Sequence, residues 1–349
     1  MNTNEGIWIK NQIESLPKEV INKVYHFEIQ KSEKPGIIVN TDHVLIQKIV
    51  CLPFRNWVIY EIIYFFWLVN LLIIKSVHKD YDIINFHIAY PMLSYFHRIK
   101  KYIKKPVVIT EHWSAYHFNF GVPKPLPRIQ RIFKYKIPVI TVSYALKRDI
   151  ETFSNSEFPS YILPNTVDEN VFKPPIESQK KCKLFMISNW SYPKRPLLAF
   201  EAFVKSELYR NHELIVGGKG SLWGDMKEWI LSNDYLHKIK LVGRLSPIEI
   251  ANYLRDSKAL LHPTEYETFS VVCAEAISIG CLVITHKVGG ISEVLENNAL
   301  FVKSNSINSW VESINQVDSK REILPTKRYS RKNIGQSYLK ILNDVIRSY

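Results

Sequence analysis

Cysteine is scarce in this chain: Cys51, Cys182, Cys273 and Cys281 lie far apart or inside apolar runs, and no two stand at Cys-x-x-Cys spacing. A disulfide framework or a thiol-based redox motif is therefore not indicated, and the four read as reduced, structural thiols. Glycine is sparse as well, 12 residues against 18 prolines, and no long stretch is polar enough to suggest disorder. The opening MNTNEG is polar and no apolar core of a secretory signal follows it, so the expected address is cytoplasmic. A dense basic tail and an aromatic-basic nucleic-acid motif are missing too, which argues against a nucleic-acid partner.

What is present is length, apolar mass and positive charge. With 349 residues, 46% of them hydrophobic, the chain suits two cores of roughly 150 to 180 residues each. The net charge of +13 favours contact with something anionic, such as anionic lipid or phosphorylated small molecules. One segment, WVIYEIIYFFWLVNLLII at 57–74, is nearly long enough to span a bilayer. It contains Glu61 and Asn70 and stands within a series of strand-like segments, so it reads as a helix packed on a sheet. Its excess of aromatics leaves room for peripheral docking on an anionic membrane.

From about residue 81, short apolar runs alternate with helical patterns. The strand candidates are DIINFH, PVVIT, PVITVS, KLFMIS, HELIVGG, KIKLVG, ALLHP, CLVIT and ALFV. This is the sequence form of repeated βαβ units, hence an α/β fold with parallel sheets, whose ligands bind at the carboxyl ends of the strands. The series breaks at the prolines 164, 174 and 175 and the polar run 177–183, which divides the chain into Rossmann-like domains over 1–170 and 171–330, facing one another across a central cleft. RYSRKNIGQSYLKILNDVIRSY places apolar residues at near-helical spacing and forms a terminal helix over 331–349, free to pack back on the first domain. At the other end, EGIWIKNQIESL has Ile9, Ile13 and Leu16 on one helical face, so a first strand is missing from its usual place. Either the true start lies upstream of Met1, or the sheet is built without that strand.

The passage 238–295 is the most informative. ALLHP ends a strand, TEYETF is a loop, and SVVCAEAISI is a helix closed by Gly280. Thr268, Phe269, Ser270 and the first helical residues then offer unpaired N–H groups and the positive end of the helix dipole to phosphate oxygens. Glu267 stands before that helix and Glu275 more than one turn inside it. On spacing alone Glu267 reads equally as a solvated loop residue, Glu275 as an ordinary helix carboxylate and Lys194 as a surface lysine. Without further information, His112 and His87 are strand-end or core histidines.

ETFSVVCAE, followed by AISIGCLVITHKVGGISEV, resembles the Glu-x7-Glu signature of retaining glycosyltransferases of family 4, the glycogen-synthase-like group. EGIWIKNQIESL, DIINFHIAY, VVITEHWSAYH, ITVSYALKRDI, ILPNTVDENVFKP, ISNWSYPKRPLLAFEAF, LIVGGKG and IKLVGRLS match in the same order. The resemblance implies a GT-B fold and a metal-independent hexosyltransferase of the kind that builds bacterial surface polysaccharide, with no cofactor beyond its nucleoside diphosphate sugar. It implies Glu267 on donor-sugar hydroxyls, Glu275 on the ribose, Lys194 on the diphosphate, the backbone of Arg244 and Leu245 around the base, and His112 facing the transferred sugar. Three departures stand out: the family's arginine five positions before the lysine is Asn189, the glycine after its first glutamate is Thr268, and the first strand is absent. The expectation is a retaining transferase acting on a glycan or lipid-linked acceptor at the inner face of the cell membrane. A non-catalytic sugar-nucleotide-binding or partner subunit is the alternative.

Overall fold

The computed structural model describes residues 7–42, 44–121, 126–175, 183–319 and 323–349. Cys182, most of the polar run at 177–183 and the opening MNTNEG lie outside them, and with MNTNEG whatever precedes the helix Ile7–Glu14. Two compact units emerge. One comprises residues up to 15, Val142–Leu146 and Pro164–Ile334; the other comprises Leu16–Thr141, Lys147–Leu163 and Gly335–Tyr349.

The first unit is built on a six-stranded sheet. In spatial order its strands are Ile239–Gly243, Glu213–Lys219, Lys183–Asn189, Ser257–His262, Leu282–Thr285 and Ala299–Phe301, all paired in parallel. Side chains alternate across a strand, so a central strand must find cover on both faces. Leu184 and Met186 join the core that holds Phe200, Phe203 and Trp310, whereas Phe185 stacks at 5.2 Å on Tyr253 of the helix Pro247–Asp256. Parallel pairing also gathers the carboxyl ends of the strands on one edge, where the loops after residues 189, 219, 243 and 262 emerge.

The second unit holds two sheets. Ile84–His87, Val107–Glu111, Val139–Thr141 and Ser160–Ile162 form a parallel four-stranded sheet in that order. Val24–Lys31, Gly36–Thr41 and Leu45–Leu52 form a separate three-stranded sheet, with Leu45–Leu52 central and Gly36–Thr41 antiparallel to it. The nine expected strands are all present, but these three and Ser160–Ile162 come in addition. Gly36–Thr41 is exposed along its whole length in spite of its short Ile37–Val39 run, and Val24–Lys31 buries only Phe27, so neither is an inner strand covered on both faces. The terminal helix Arg331–Ser348 contributes Tyr338, whose hydroxyl accepts a 2.5 Å hydrogen bond from Asn85.

Residues 57–74 are helical, as Trp57–Val69 followed by a π-turn at Asn70–Ile74. One face packs on the three-stranded sheet, with Trp67 stacked on Phe27 at 4.8 Å and Tyr64 edge-on to it at 5.0 Å. Only 22% of the segment's residues are fully buried, Trp57, Phe66 and Ile74 are at least half exposed, and by length and composition it could cross a membrane. Glu61 is fully buried on the inner side, where Arg128 Nε meets its Oε2 at 2.9 Å.

Candidate functional site

The loop between Ser257–His262 and the helix Val271–Ile279 is the centre of the first unit's candidate site. Ser270 takes a left-handed conformation (φ 67°) as N-cap and makes no side-chain cap bond, so the N–H groups of the first turn keep their outward donors. Gly280, also left-handed, closes the other end by donating to Ala276 and Ile277. Thr268 is not in the left-handed region, so a side chain there costs no backbone strain. The Phe269 ring is committed to the core, edge-on to Tyr329 at 5.4 Å, and what it offers a ligand is main chain.

Glu267, with 22% of its side chain exposed, is ion-paired with Lys194, which is 11% exposed and also donates to Thr264 Oγ1 at 3.1 Å. The loops carrying the pair are laced together by Arg195 N to Pro263 O at 3.0 Å and Glu265 N to Pro193 O at 3.1 Å. His262 Nε2 lies 3.1 Å from both Glu267 Oε1 and Ser270 Oγ. Burial by itself would push the Glu267 carboxyl up, but the Lys194 ammonium and the His262 hydrogen bond outweigh it and hold the pKa at about 2. Burial lowers the pKa of His262, so at neutral pH it serves as a neutral hydrogen-bonding partner.

The segment HKVGGISEV supports this loop from behind. Gly290 N donates to Glu267 O at 2.8 Å. A Cβ on Gly289 or Gly290 would collide with the carbonyl oxygen of Glu267 or Thr268 respectively. Ser143 Oγ donates to Thr268 O at 2.6 Å, and Glu293 accepts from the N–H groups of Tyr144 and Ala145 at 2.7 and 2.8 Å.

Glu275 differs from Glu267 in every electrostatic respect. It is half-buried and makes no hydrogen bond or ion pair with any described residue, and burial pushes its pKa up to about 8. Asn189 is exposed at the end of its strand, level in register with Lys219 on the neighbouring strand. Arg195 is engaged by Glu265 at 3.0 Å on the surface. Arg244 is exposed just past Gly243, and Leu245 lies against Gly217, its Cδ1 2.6 Å from where a Cβ would stand. Lys194, Glu267, Thr268, Phe269 and Ser270 thus share one cluster, with Glu275 on the helix it leads into.

His112 belongs to the second unit. It follows Val107–Glu111, is buried, and its ring is parallel to that of His87 at 6.0 Å. The preceding Glu111 is wholly buried and accepts from Ala89 N at 2.7 Å and Tyr116 Oη at 2.6 Å. Burial nevertheless pushes its pKa up to about 7, against the lowering effect of these bonds. His87 is held at about 4 by burial.

Sequence reasoning gave no role to His262, Thr264, Ser143 or Glu293. The one local signal was a histidine at a strand end five positions before Glu267 in ALLHPTEYE, with Thr264 opening the loop beside it; Ser143 reaches the loop at Thr268 O, and Glu293 acts through Tyr144 and Ala145, only through the fold.

Comparison with known proteins bears on this geometry. Residues 167–335 match the family described as Glycosyl transferases group 1, and residues 29–171 match Glycosyltransferase Family 4. One subunit of the human phosphatidylinositol N-acetylglucosaminyltransferase is 29% identical over 181 residues, half of this chain but only 37% of the relative's own length. An uncharacterized glycosyltransferase of Methanocaldococcus jannaschii is 25% identical over 72% of this chain and 71% of its own. Among solved structures, Anabaena HepE in complex with UDP and glucose superposes with a TM-score of 0.63 at 16% identity, covering 86% of this chain and 87% of HepE. The architecture is the α/β GT-B fold, with parallel sheets in two Rossmann-like domains.

Proposed function

We propose that this chain, which carries a family 4 glycosyltransferase domain followed by a group 1 domain, transfers a hexose or related sugar from a nucleoside diphosphate sugar to an acceptor hydroxyl with retention of configuration and without a metal. One observation carries the reading. A carboxylate held ionised by a lysine stands beside an uncapped helix start, and a second, unpaired carboxylate lies on that helix. In this assignment Lys194 and the N–H groups at residues 269–271 receive the diphosphate, a fixed cation and a helix end supplying the charge that Mg²⁺ supplies elsewhere. Glu267 accepts from donor-sugar hydroxyls and Glu275 from the ribose. The main chain at Arg244 and Leu245 borders the base, and His112 faces the transferred sugar. The diphosphate leaves on the face that the acceptor attacks and can take the acceptor's proton, so no separate protein base is needed.

The acceptor we infer is a glycan or lipid-linked intermediate at the inner face of a membrane, which the net charge of +13 and the exposed apolar helix at 57–74 support. Asn189, exposed and uncharged where a cation would help the leaving group, favours a second reading, donor binding without turnover in a partner subunit.

The donor assignment is tested by melting the protein with UDP, GDP and ADP sugars. A native-state ligand at about a hundredfold above its Kd adds roughly 2.7 kcal/mol of stability, so one base series is expected to raise the melting temperature. Glu275→Gln should behave oppositely with and without donor. The carboxyl's raised pKa means that its contribution to stability is complete below about pH 4.5 and lost as pH rises through about 8. The glutamine variant is therefore expected to melt several degrees above the wild type at pH 8 and, at that pH, to bind donor about tenfold more weakly, having lost a carboxyl that the wild type can ionise there. An unchanged donor shift in Glu275→Gln would remove it from the ribose site.

A further inference from the structure

We infer that the second unit carries a docking site for the phosphate headgroup of an anionic glycerophospholipid, at the end of the apolar helix, and that this site seats the protein on a bilayer. A hollow of about 210 Å³ lies where the helix gives way to its π-turn. Leu72 and Ile73 line it together with Lys79, Lys104 and Lys105, a combination of apolar wall and three cationic side chains that suits a phosphate with hydrocarbon attached. None of the three lysines is ion-paired with a described carboxylate. His78 lines the same hollow, is 94% buried by its 6% exposure, and its Nδ1 has no hydrogen-bond partner. A buried ring nitrogen without a partner costs free energy, and His78 carries that cost on the wall of this hollow. The π-turn itself is a conformation rarely kept without a local use.

The surroundings fix the occupant as a membrane. Val58, Ile59, Ile62 and Phe66 recur at helical spacing on the outward side of the same helix, Phe66 being 64% exposed, and Ile74, next in sequence to the hollow's Ile73, is 71% exposed. Exposed apolar surface of this extent marks an interaction face. Residues 16–141 hold 18 Lys and Arg against 8 Asp and Glu, so the unit that carries this face is basic and attracts anionic surfaces. Apolar residues that enter the acyl boundary while lysines stay at the phosphates are how an interfacial helix binds anionic lipid.

The site rests on the membrane part of the proposed function and not on the donor assignment, and the experiment separates the two. Full-length protein is sedimented with vesicles of phosphatidylcholine alone, and of phosphatidylcholine with a minority of phosphatidylglycerol. The wild type is expected to partition only to the anionic vesicles. The triple variant Lys79→Ala, Lys104→Ala, Lys105→Ala should bind them on the order of a hundredfold more weakly, roughly fivefold per lysine, and Phe66→Ser roughly tenfold more weakly. Both variants should keep the wild-type melting temperature and donor-induced shift. Equal binding to neutral vesicles, or undiminished binding by the triple variant, overturns the site. So does displacement by inorganic phosphate beyond that by sodium chloride of equal ionic strength, which would make the hollow a free-phosphate site. Concentration-dependent dimerisation without vesicles, abolished by Phe66→Ser, would assign the face to a second copy and also overturn it.

Discussion

Lys194→Ala is expected to lower turnover about a thousandfold, a loss of about 4 kcal/mol of transition-state stabilisation. Its ammonium is largely buried, bridges Thr264 and Glu267, and stands in the cluster that includes the open helix start at Ser270. As the donor bond breaks, negative charge develops on the diphosphate, and a fixed cation in a poorly solvated site stabilises that charge more than it does the ground state. The loss should therefore fall mainly on kcat, with a smaller change in KM. The same substitution has an acid-side signature. In the wild type the low pKa of Glu267 gives a stability contribution that is present above about pH 4.5 and lost as pH falls toward 2. Without Lys194, burial dominates and the pKa rises, so the decline in melting temperature on acidification should flatten between pH 5 and roughly pH 3. Kinetics with the donor picked out by thermal shift, together with melting curves across that range, check both parts. Turnover within tenfold of wild type would remove Lys194 from the chemistry.

Gly289→Ala is expected to destabilise the protein by about 3 kcal/mol and abolish the donor-induced shift. Gly289 has φ 51°, a region that costs any residue with a Cβ about 1 kcal/mol, but strain is the smaller part. The added methyl would occupy the position of the Glu267 carbonyl oxygen, which is backbone and cannot swing aside as a flexible side chain would. Either the loop holding Glu267 moves or the loop at 288–290 does, and the bond from Gly290 N to Glu267 O is lost with it. A displacement of about 1 Å at such a site is enough to remove donor orientation. The melting temperature should fall by about 6 to 12 °C. Gly36→Ala, on an exposed strand with nothing within 4 Å of the added Cβ, should change it by less than about 0.5 kcal/mol and serves as the control. A Gly289→Ala protein that melts and binds donor like the wild type would contradict the supporting role of this glycine pair.

The contrast between these residues also shows what a sequence can and cannot convey here. Strand-forming runs such as KLFMIS and CLVIT are buried on both faces, so their composition alone announces them. VYHFEIQK and GIIVNT lie in a small sheet that fully buries only Phe27 of their residues, the first alternating in polarity and the second holding only a three-residue apolar run, so neither shows the two-faced burial that announces the others. Within the site, Glu267, Ser270 and Glu275 are consecutive on one loop and helix, and their spacing is readable. His262 acts through a short-range contact at the strand end, whereas Gly289 acts through a backbone collision avoided that only the closed fold creates. Electrostatic character was the least legible property. Glu267 and Glu275 are identical in type and eight positions apart, yet a lysine and a histidine pull one pKa to about 2 while burial without a partner lifts the other to about 8.

The most direct measurement is proton NMR of the reaction of purified full-length protein with the donor that raises its melting temperature, following both the release of nucleoside diphosphate and the anomeric configuration of the first transferred product. The account predicts steady transfer by the wild type with the donor's configuration retained, and transfer at least a thousandfold slower by Glu267→Gln, which should still fold. A wild-type protein that binds donor but never turns it over would contradict it in favour of a binding role without catalysis, and a product of inverted configuration would contradict the retaining mechanism.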